Sequence, residues 1–241
     1  STIDMIEAKF ITEFDLNDTP RGTKRTYWLK IISNGMGSPI NIPVMVARGN
    51  KDYPVLGLTA AVHGNELNGI PVIQRLFTSI DPTQLEGVIV GIPVVNIPAF
   101  NANERRYNDG VDLNHVMPGE ENGNASQVYA YRLINIIIKH FNYLLDLHTA
   151  SEGRINTYYV RADMNNPHTK KLALLQNAQI IVDNPPYDGT LRGAVAELGI
   201  HAITLEVGNP NIYQKSLIRS GVAGIDNVLS YNATGLSFHR L

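Results

Sequence analysis

The sequence predicts an α/β fold: a mixed, mainly parallel central sheet flanked by helices on both faces. Three observations predict it. Apolar runs of strand length recur at 54–62, 88–95, 143–148 and 202–207. Segments with helical spacing fall between them, and strands alternating with helices imply βαβ units. The first two strands instead share a short turn region, which implies an antiparallel edge. A chain of 241 residues can bury a sizeable α/β core, and nothing marks an internal linker, so 1–241 reads as a single domain.

Residues 25–33 and 42–47 are rich in β-branched and aromatic side chains and read as strands, joined by the Gly/Pro/Asn region 34–41. The apolar run 54–62 leads straight into His63. Residues 66–80 carry Ile70, Ile73, Phe77 and Ile80 at helical spacing. The next buried strand is 88–95. The polar stretch 96–123 shows no period, and a connection of that length in a compact domain is usually functional or disordered. Asn124 and Gln127 form a capping box for a helix to about residue 141, with Val128, Tyr131, Ile134, Ile137 and Ile138 as its apolar face. Strands follow at 143–148 and 157–160. Asn166-Pro167 starts a helix with proline in its first position. A short strand at 179–182, a helix at 190–198 closed by Gly199, a strand at 202–207 and a helix at 213–229 complete the chain.

Composition excludes several classes. The formal charge is −2, from 20 basic and 22 acidic residues, which argues against a broad footprint for nucleic acid or an anionic membrane. No apolar run approaches the roughly 18 residues of a membrane span. The start, Ser1-Thr2-Ile3-Asp4, has no signal-like core, so a cytoplasmic location is expected. There are no cysteines, which removes disulfides, Cys-type zinc sites and thiol nucleophiles.

The residues that carry chemistry begin with His63-Gly64-Asn65-Glu66. A histidine and a glutamate three residues apart can reach one metal ion, and His148, in Asp146-Leu147-His148-Thr149, completes three protein ligands. Three ligands leave a zinc position open, as in catalytic sites. Both motifs end apolar strands, where open α/β sheets bind ligands. The plainer alternative is a loop histidine beside a helix start, with Asn65 as cap and Glu66 in the first turn. Asp146, two residues before His148, leaves the same strand face. It could accept a ring N–H and orient that histidine, or pair with a cation at the sheet end. Glu206 lies near the end of the apolar strand Ile203 to Val207, where a buried carboxylate needs a partner or a job. The job would be general base toward water; the alternative is a salt bridge. Residues 97–119 contain Arg105, Arg106, Asp109, Asp112, Asn114 and His115. Their arginine forks suit a substrate carboxylate or a developing oxyanion, and the plain alternative is a solvated loop.

Four motifs in order, His63-Gly64-Asn65-Glu66, Arg106 to Asp112-Leu113-Asn114, Asp146-Leu147-His148-Thr149 and Leu205-Glu206-Val207-Gly208, resemble the aspartoacylase/succinylglutamate desuccinylase family. The resemblance covers roughly Pro54 to Gly235. These deacylases are related to zinc carboxypeptidases, so the implied fold is zinc-exopeptidase-like. The resemblance implies one zinc per chain on His63, Glu66 and His148, and Glu206 as catalytic base. It further implies that Arg106 polarises the scissile carbonyl, that Asn114 holds a substrate carboxylate, and that Arg192 is a further substrate-carboxylate arginine. Two departures stand out. Where relatives follow Asp-Leu-Asn with arginine, this chain has His115, replacing a permanent cation with one that titrates near neutral pH. Many relatives also carry a C-terminal β-rich domain that narrows the site. This chain ends at Leu241, so either a truncated chain or an unusually open site is expected.

The leading expectation is zinc-dependent hydrolysis of the amide bond of an N-acyl amino acid or similar small, carboxylate-bearing molecule. A carboxypeptidase or amidase acting on peptides is the nearest alternative. A non-catalytic small-molecule binding module on the same fold is the alternative from another class.

Overall fold

A computed structural model describes residues 8–151, 153 and 157–231; the two ends of the expected domain lie outside the described residues. Among the described residues nine strands form one sheet: β1 (Lys9–Ile11), β2 (Thr23–Ser33), β3 (Pro39–Arg48), β4 (Val55–Ala60), β5 (Val88–Ile92), β6 (Tyr143–His148), β7 (Tyr158–Ala162), β8 (Ile180–Asp183) and β9 (His201–Val207). Their order across the sheet is β1-β2-β3-β5-β4-β6-β9-β7-β8. The middle of the sheet, β5-β4-β6-β9, is parallel. Of these, β4, β5 and β6 are buried end to end, as expected of strands covered on both faces. The β2–β3 hairpin supplies the expected antiparallel edge, and β1 then adds to it in parallel. On the other side β7 runs antiparallel to β9.

Among the described residues six helices cover the faces: α1 (Gly69–Ser79), α2 (Ile97–Asn101), α3 (Ala125–Ile136), α4 (Pro167–Leu175), α5 (Leu191–Glu197) and α6 (Lys215–Ser230). α1, α4 and α6 pack together on one face, with Ile73, Leu76, Leu172, Ile225 and Val228 in their core. α3 and α5 cover the other, with Tyr129, Leu133, Leu191 and Val195 in theirs. Burying each such side chain stabilises by about 1.5–3 kcal/mol. Among the described residues no helix is long and apolar enough to cross a membrane.

Three local expectations need correction. The helix expected from residue 66 begins at Gly69. The Glu66 amide closes a turn onto the His63 carbonyl, and the Asn68 side chain bonds across to the Val207 carbonyl instead of capping the helix. The capping box of Asn124 and Gln127 is formed, but α3 ends at Ile136 and a separate 3-10 turn spans Ile138–His140. Its buried stripe is Tyr129, Ala130, Leu133 and Ile134; Val128 and Tyr131 lie beside that stripe. The aperiodic stretch 96–123 contains α2 and a 3-10 turn at Leu113–His115.

The turn after β4 is what places the site. Ala61 adopts φ 52°, a left-handed conformation that non-glycine residues enter at a cost. The buried Asn96 stitches the exit: its Nδ2 donates to the Val62 carbonyl, and its Oδ1 accepts the Ala99 amide at the start of α2. Gly64 sits so close to α2 that a Cβ there would lie 2.2 Å from the Ala99 carbonyl carbon. Gly64→Ala is therefore expected to destabilise the domain by about 1–3 kcal/mol, the usual cost of overpacking. A melting temperature equal to the parent's would show that α2 yields without cost.

Candidate active site

His63 and Glu66 sit on the turn after β4, and His148 is the last residue of β6. Because β4 and β6 are parallel neighbours, their carboxyl ends lie side by side. Among the described residues these three side chains form a potential metal group, with one ligand atom from each lying within 4.8 Å of the others. All three are buried.

Both imidazoles are aimed the same way. His63 turns Nδ1 to Glu66 Oε2 at 2.8 Å and Nε2 to Asp112 Oδ1 at 2.8 Å. His148 turns Nδ1 to Glu66 Oε1 at 3.3 Å and Nε2 to Asp146 Oδ2 at 2.5 Å. Each ring thus rests one nitrogen on an aspartate and points the other inward, the arrangement that fixes the tautomer of metal-bound histidine. His63 Nδ1 makes no geometrically sound hydrogen bond although it is buried. An inward ring nitrogen with no proper partner fits a metal ligand. The aspartates are themselves held. Asp146 Oδ1 accepts from Thr59 Oγ1 at 2.7 Å, and Asp112 Oδ1 accepts the Asn114 amide at 2.9 Å.

Charge explains the titration behaviour. Burial alone would push the Glu66 carboxyl up, but the His148 and His63 rings hold it down at about 2. Burial likewise raises the Asp112 carboxyl, and the His63 ring outweighs it, leaving Asp112 well below the usual range. Burial disfavours the charged forms of both histidines. Asp112 and Glu66 nevertheless raise His63, and Asp146 and Glu66 raise His148 well above the ordinary value. A metal bound there would displace protons from these rings, which would couple its binding to proton release.

Residues 52–232 match the family model of the succinylglutamate desuccinylase/aspartoacylase catalytic domain. The chain belongs to the succinylglutamate desuccinylase/aspartoacylase family. It is 30% identical over 111 residues to the N-alpha-acetyl-L-2,4-diaminobutyric acid deacetylase of Halomonas elongata, a match covering 46% of this chain and 32% of that protein. The match thus spans about a third of that relative's length. Its structure superposes on the succinylglutamate desuccinylase/aspartoacylase from Rhodobacter sphaeroides with a TM-score of 0.82 at 25% identity, over 97% of this chain and 70% of that one. It also superposes on the product-bound ectoine utilization protein from Ruegeria pomeroyi with a TM-score of 0.77 at 22% identity, over 87% and 68% of the two chains. At that identity the second likeness shows a shared fold.

Glu206, Asn114 and Arg192 line a cavity of about 220 Å³ together with His63, Glu66 and His148. Glu206, on β9, is the direct register partner of His148. Burial raises its carboxyl above the usual value, although the neighbouring His148 charge opposes this. Asn114 lines the cavity, and its Oδ1 accepts the Leu191 amide at 2.8 Å, which leaves its amide nitrogen as a donor. Arg192, in the first turn of α5, is buried in the wall and donates twice to Asn184, at 3.2 and 2.8 Å.

Two expected residues fall elsewhere. Of the adjacent pair Arg105 and Arg106, it is Arg105 that lines the cavity. Arg105 Nη1 donates to Glu66 Oε2 at 3.0 Å and Nη2 to Asp112 Oδ2 at 3.4 Å. Two buried carboxylates draw that side chain inward on the bend, while Arg106 is exposed and lines a separate hollow with Pro98 and Tyr107. His115 is 73% exposed and lies outside the cavity, 3.8 Å from Asp112 Oδ2. It closes a 3-10 turn whose Asn114 faces inward, and the next side chain is directed out. Asp112 as partner of His63 had a signal, its place in the Asp-Leu-Asn motif. Arg161, on β7, had none; it lines the cavity and approaches Glu206 Oε1 to 3.4 Å.

Asp112→Asn is expected to weaken divalent metal binding by about 10–100-fold, the usual worth of a carboxylate behind a ligand histidine. A competitive zinc titration reads this, and an unchanged affinity would free His63 from Asp112. His115→Ala should leave metal affinity and Michaelis constants within about two- to threefold, as for an exposed residue away from the cavity. A rise beyond tenfold would return His115 to the substrate.

Proposed function

We propose that this protein is a zinc-dependent deacylase that hydrolyses the amide bond of an N-acyl amino acid or a similar small, carboxylate-bearing molecule. The observation that carries the reading is the pair of buried histidines, each backed by an aspartate and turned onto Glu66, with Glu206 on the adjoining strand. His63, Glu66 and His148 would hold one zinc per chain through nitrogen and oxygen atoms, the donor set of catalytic zinc. Zinc, when bound, supplies a Lewis acid for the scissile carbonyl and acidifies water.

The chain's own residues supply the rest. Glu206 is buried beside the metal group, and burial favours its protonated form. A carboxylate so placed takes a proton from attacking water and returns it to the leaving amine. Arg105, fixed by Glu66 and Asp112, would stabilise the oxyanion that develops on the carbonyl. Asn114 and Arg192 offer amide and guanidinium donors to a carboxylate of the leaving amino acid.

Glu206→Gln preserves the shape and removes the base. Hydrolysis of a panel of N-acyl amino acids should fall by about two to four orders of magnitude, with zinc content unchanged. Activity within a few-fold of the parent would remove Glu206 from that role. In parallel, His148→Ala should lose most of the metal found by elemental analysis of the parent, while the domain stays folded.

A further inference from the structure

The β2–β3 hairpin outruns the sheet to which it belongs. β5 pairs with β3 only from Met45 to Arg48, so residues 39–44 are paired on one side alone, with β2. Along β2, Tyr27, Leu29 and Ile31 enter the core, and Trp28 between them leaves the opposite face. α2 packs on β3, and residues of the hairpin and of α2 together line a groove of about 490 Å³. That is the size of a small-ligand pocket.

Among the described residues no charged side chain lines this groove. Trp28 is its one aromatic ring, and Asn34, Asn41, Asn101 and Asn108 supply four carboxamides. The other lining residues are isoleucines and prolines. The side chains of Asn41, Asn101 and Asn108 make no hydrogen bond among the described residues. Asn34 uses only its Oδ1, which accepts the Met36 and Ser38 amides of the hairpin turn. Trp28 keeps 36% of its surface in water, and its sheet neighbour Phe10 keeps 70%. The exposed apolar surface is therefore contiguous, as at an interaction site.

An occupant has to satisfy two demands. Its body must lie against an indole, whose negative face favours C–H groups. Its edge must offer neutral donors and acceptors to carboxamides, each of which carries two N–H donors and an acceptor oxygen. A sugar ring does both, with C–H groups on its face and hydroxyls around its rim. An ionised ligand would find no counter-charge in the lining. A protein partner would need about 800 Å² on this side. Past Pro98 and Asn108 the groove meets a second hollow, which Arg105 shares with the cavity of His63, Glu66 and His148. A partner of that size would spread toward a cavity that has to stay open. We infer that the groove between the β2–β3 hairpin and α2 is a binding site for an uncharged carbohydrate, with a sugar ring on Trp28 and its hydroxyls bonded to Asn41, Asn101 and Asn108. The groove shares no lining residue with the cavity of His63, Glu66 and His148, so the inference does not rest on the deacylase reading.

Trp28 is the only tryptophan of the chain, so intrinsic tryptophan emission reports on this groove alone. The parent is titrated with glucose, N-acetylglucosamine, cellobiose and chitobiose. Glucuronate and a hexapeptide of leucine and proline serve as the charged and the apolar comparison. At least one of the four neutral sugars should change the emission saturably, with a Kd below about 10 mM. Asn101→Ala and Asn108→Ala, at exposed positions, should each weaken that sugar by about 3–10-fold, the worth of one neutral hydrogen bond. In calorimetry Trp28→Ala should lose the binding, and Trp28→Phe should keep part of it, because a ring remains. No saturable change with any of the four sugars would overturn the inference. So would tighter binding of glucuronate than of glucose, or of the hexapeptide than of every sugar, since the groove would then serve another class of ligand. Sugar binding left unchanged by both asparagine substitutions and by Trp28→Ala would also overturn it, by moving the sugar to another place on the protein.

Discussion

The carboxylate of Glu66 is the constraint on which the site depends. It is 2% exposed, and an unpaired charge so placed would be costly. Its two oxygens are met by the rings of His63 and His148, by the Thr149 amide at 2.9 Å and by Arg105. These partners come from the turn after β4, the end of β6 and the bend before the Asp-Leu-Asn motif. One buried charge therefore ties together three segments far apart in the chain. The sheet makes this possible, because parallel β4, β6 and β9 end at the same edge.

Around that charge, positive and negative groups alternate outward. The histidines stand on Glu66, the aspartates stand behind the histidines, and Thr59 and the Asn114 amide stand behind the aspartates. Each shell restricts the freedom of the one inside it, so the inward nitrogens are aimed before any ligand arrives. Preorganisation of this kind is what holds a catalytic constellation within the tolerance that its chemistry requires. The opposite wall of the cavity is built differently. Asn114 is steadied by the Leu191 amide at the start of α5, Arg192 by Asn184 after β8, and Arg161 by an aromatic neighbour on its own strand. The candidate metal group is thus braced by ionic pairs, and the opposite wall by neutral contacts together with the approach of Arg161 to Glu206.

Much of the fold was legible before the structure. Buried parallel strands are continuous apolar runs, and those at 54–62, 143–148 and 202–207 became β4, β6 and β9. The capping box of Asn124 is a local signal, and it appeared as expected. Local periodicity misled where tertiary contacts intervened. Val128 and Tyr131 are apolar at helical spacing, yet the sheet covers the stripe of Tyr129 and Leu133 beside them.

The amino-acid sequence by itself determined which groups stand at the strand ends, because strand length and chain order leave no other place for His63, Glu66, His148 and Glu206. Only the tertiary structure decided which neighbours complete them. Whether Arg105 or Arg106 turns inward depends on carboxylates at positions 66 and 112, and His115 is directed out by a turn whose preceding residue bonds to Leu191. Arg161 reaches Glu206 because an antiparallel strand joins the sheet beside β9. Such choices are made across space by charge and packing, and no local pattern of residues records them.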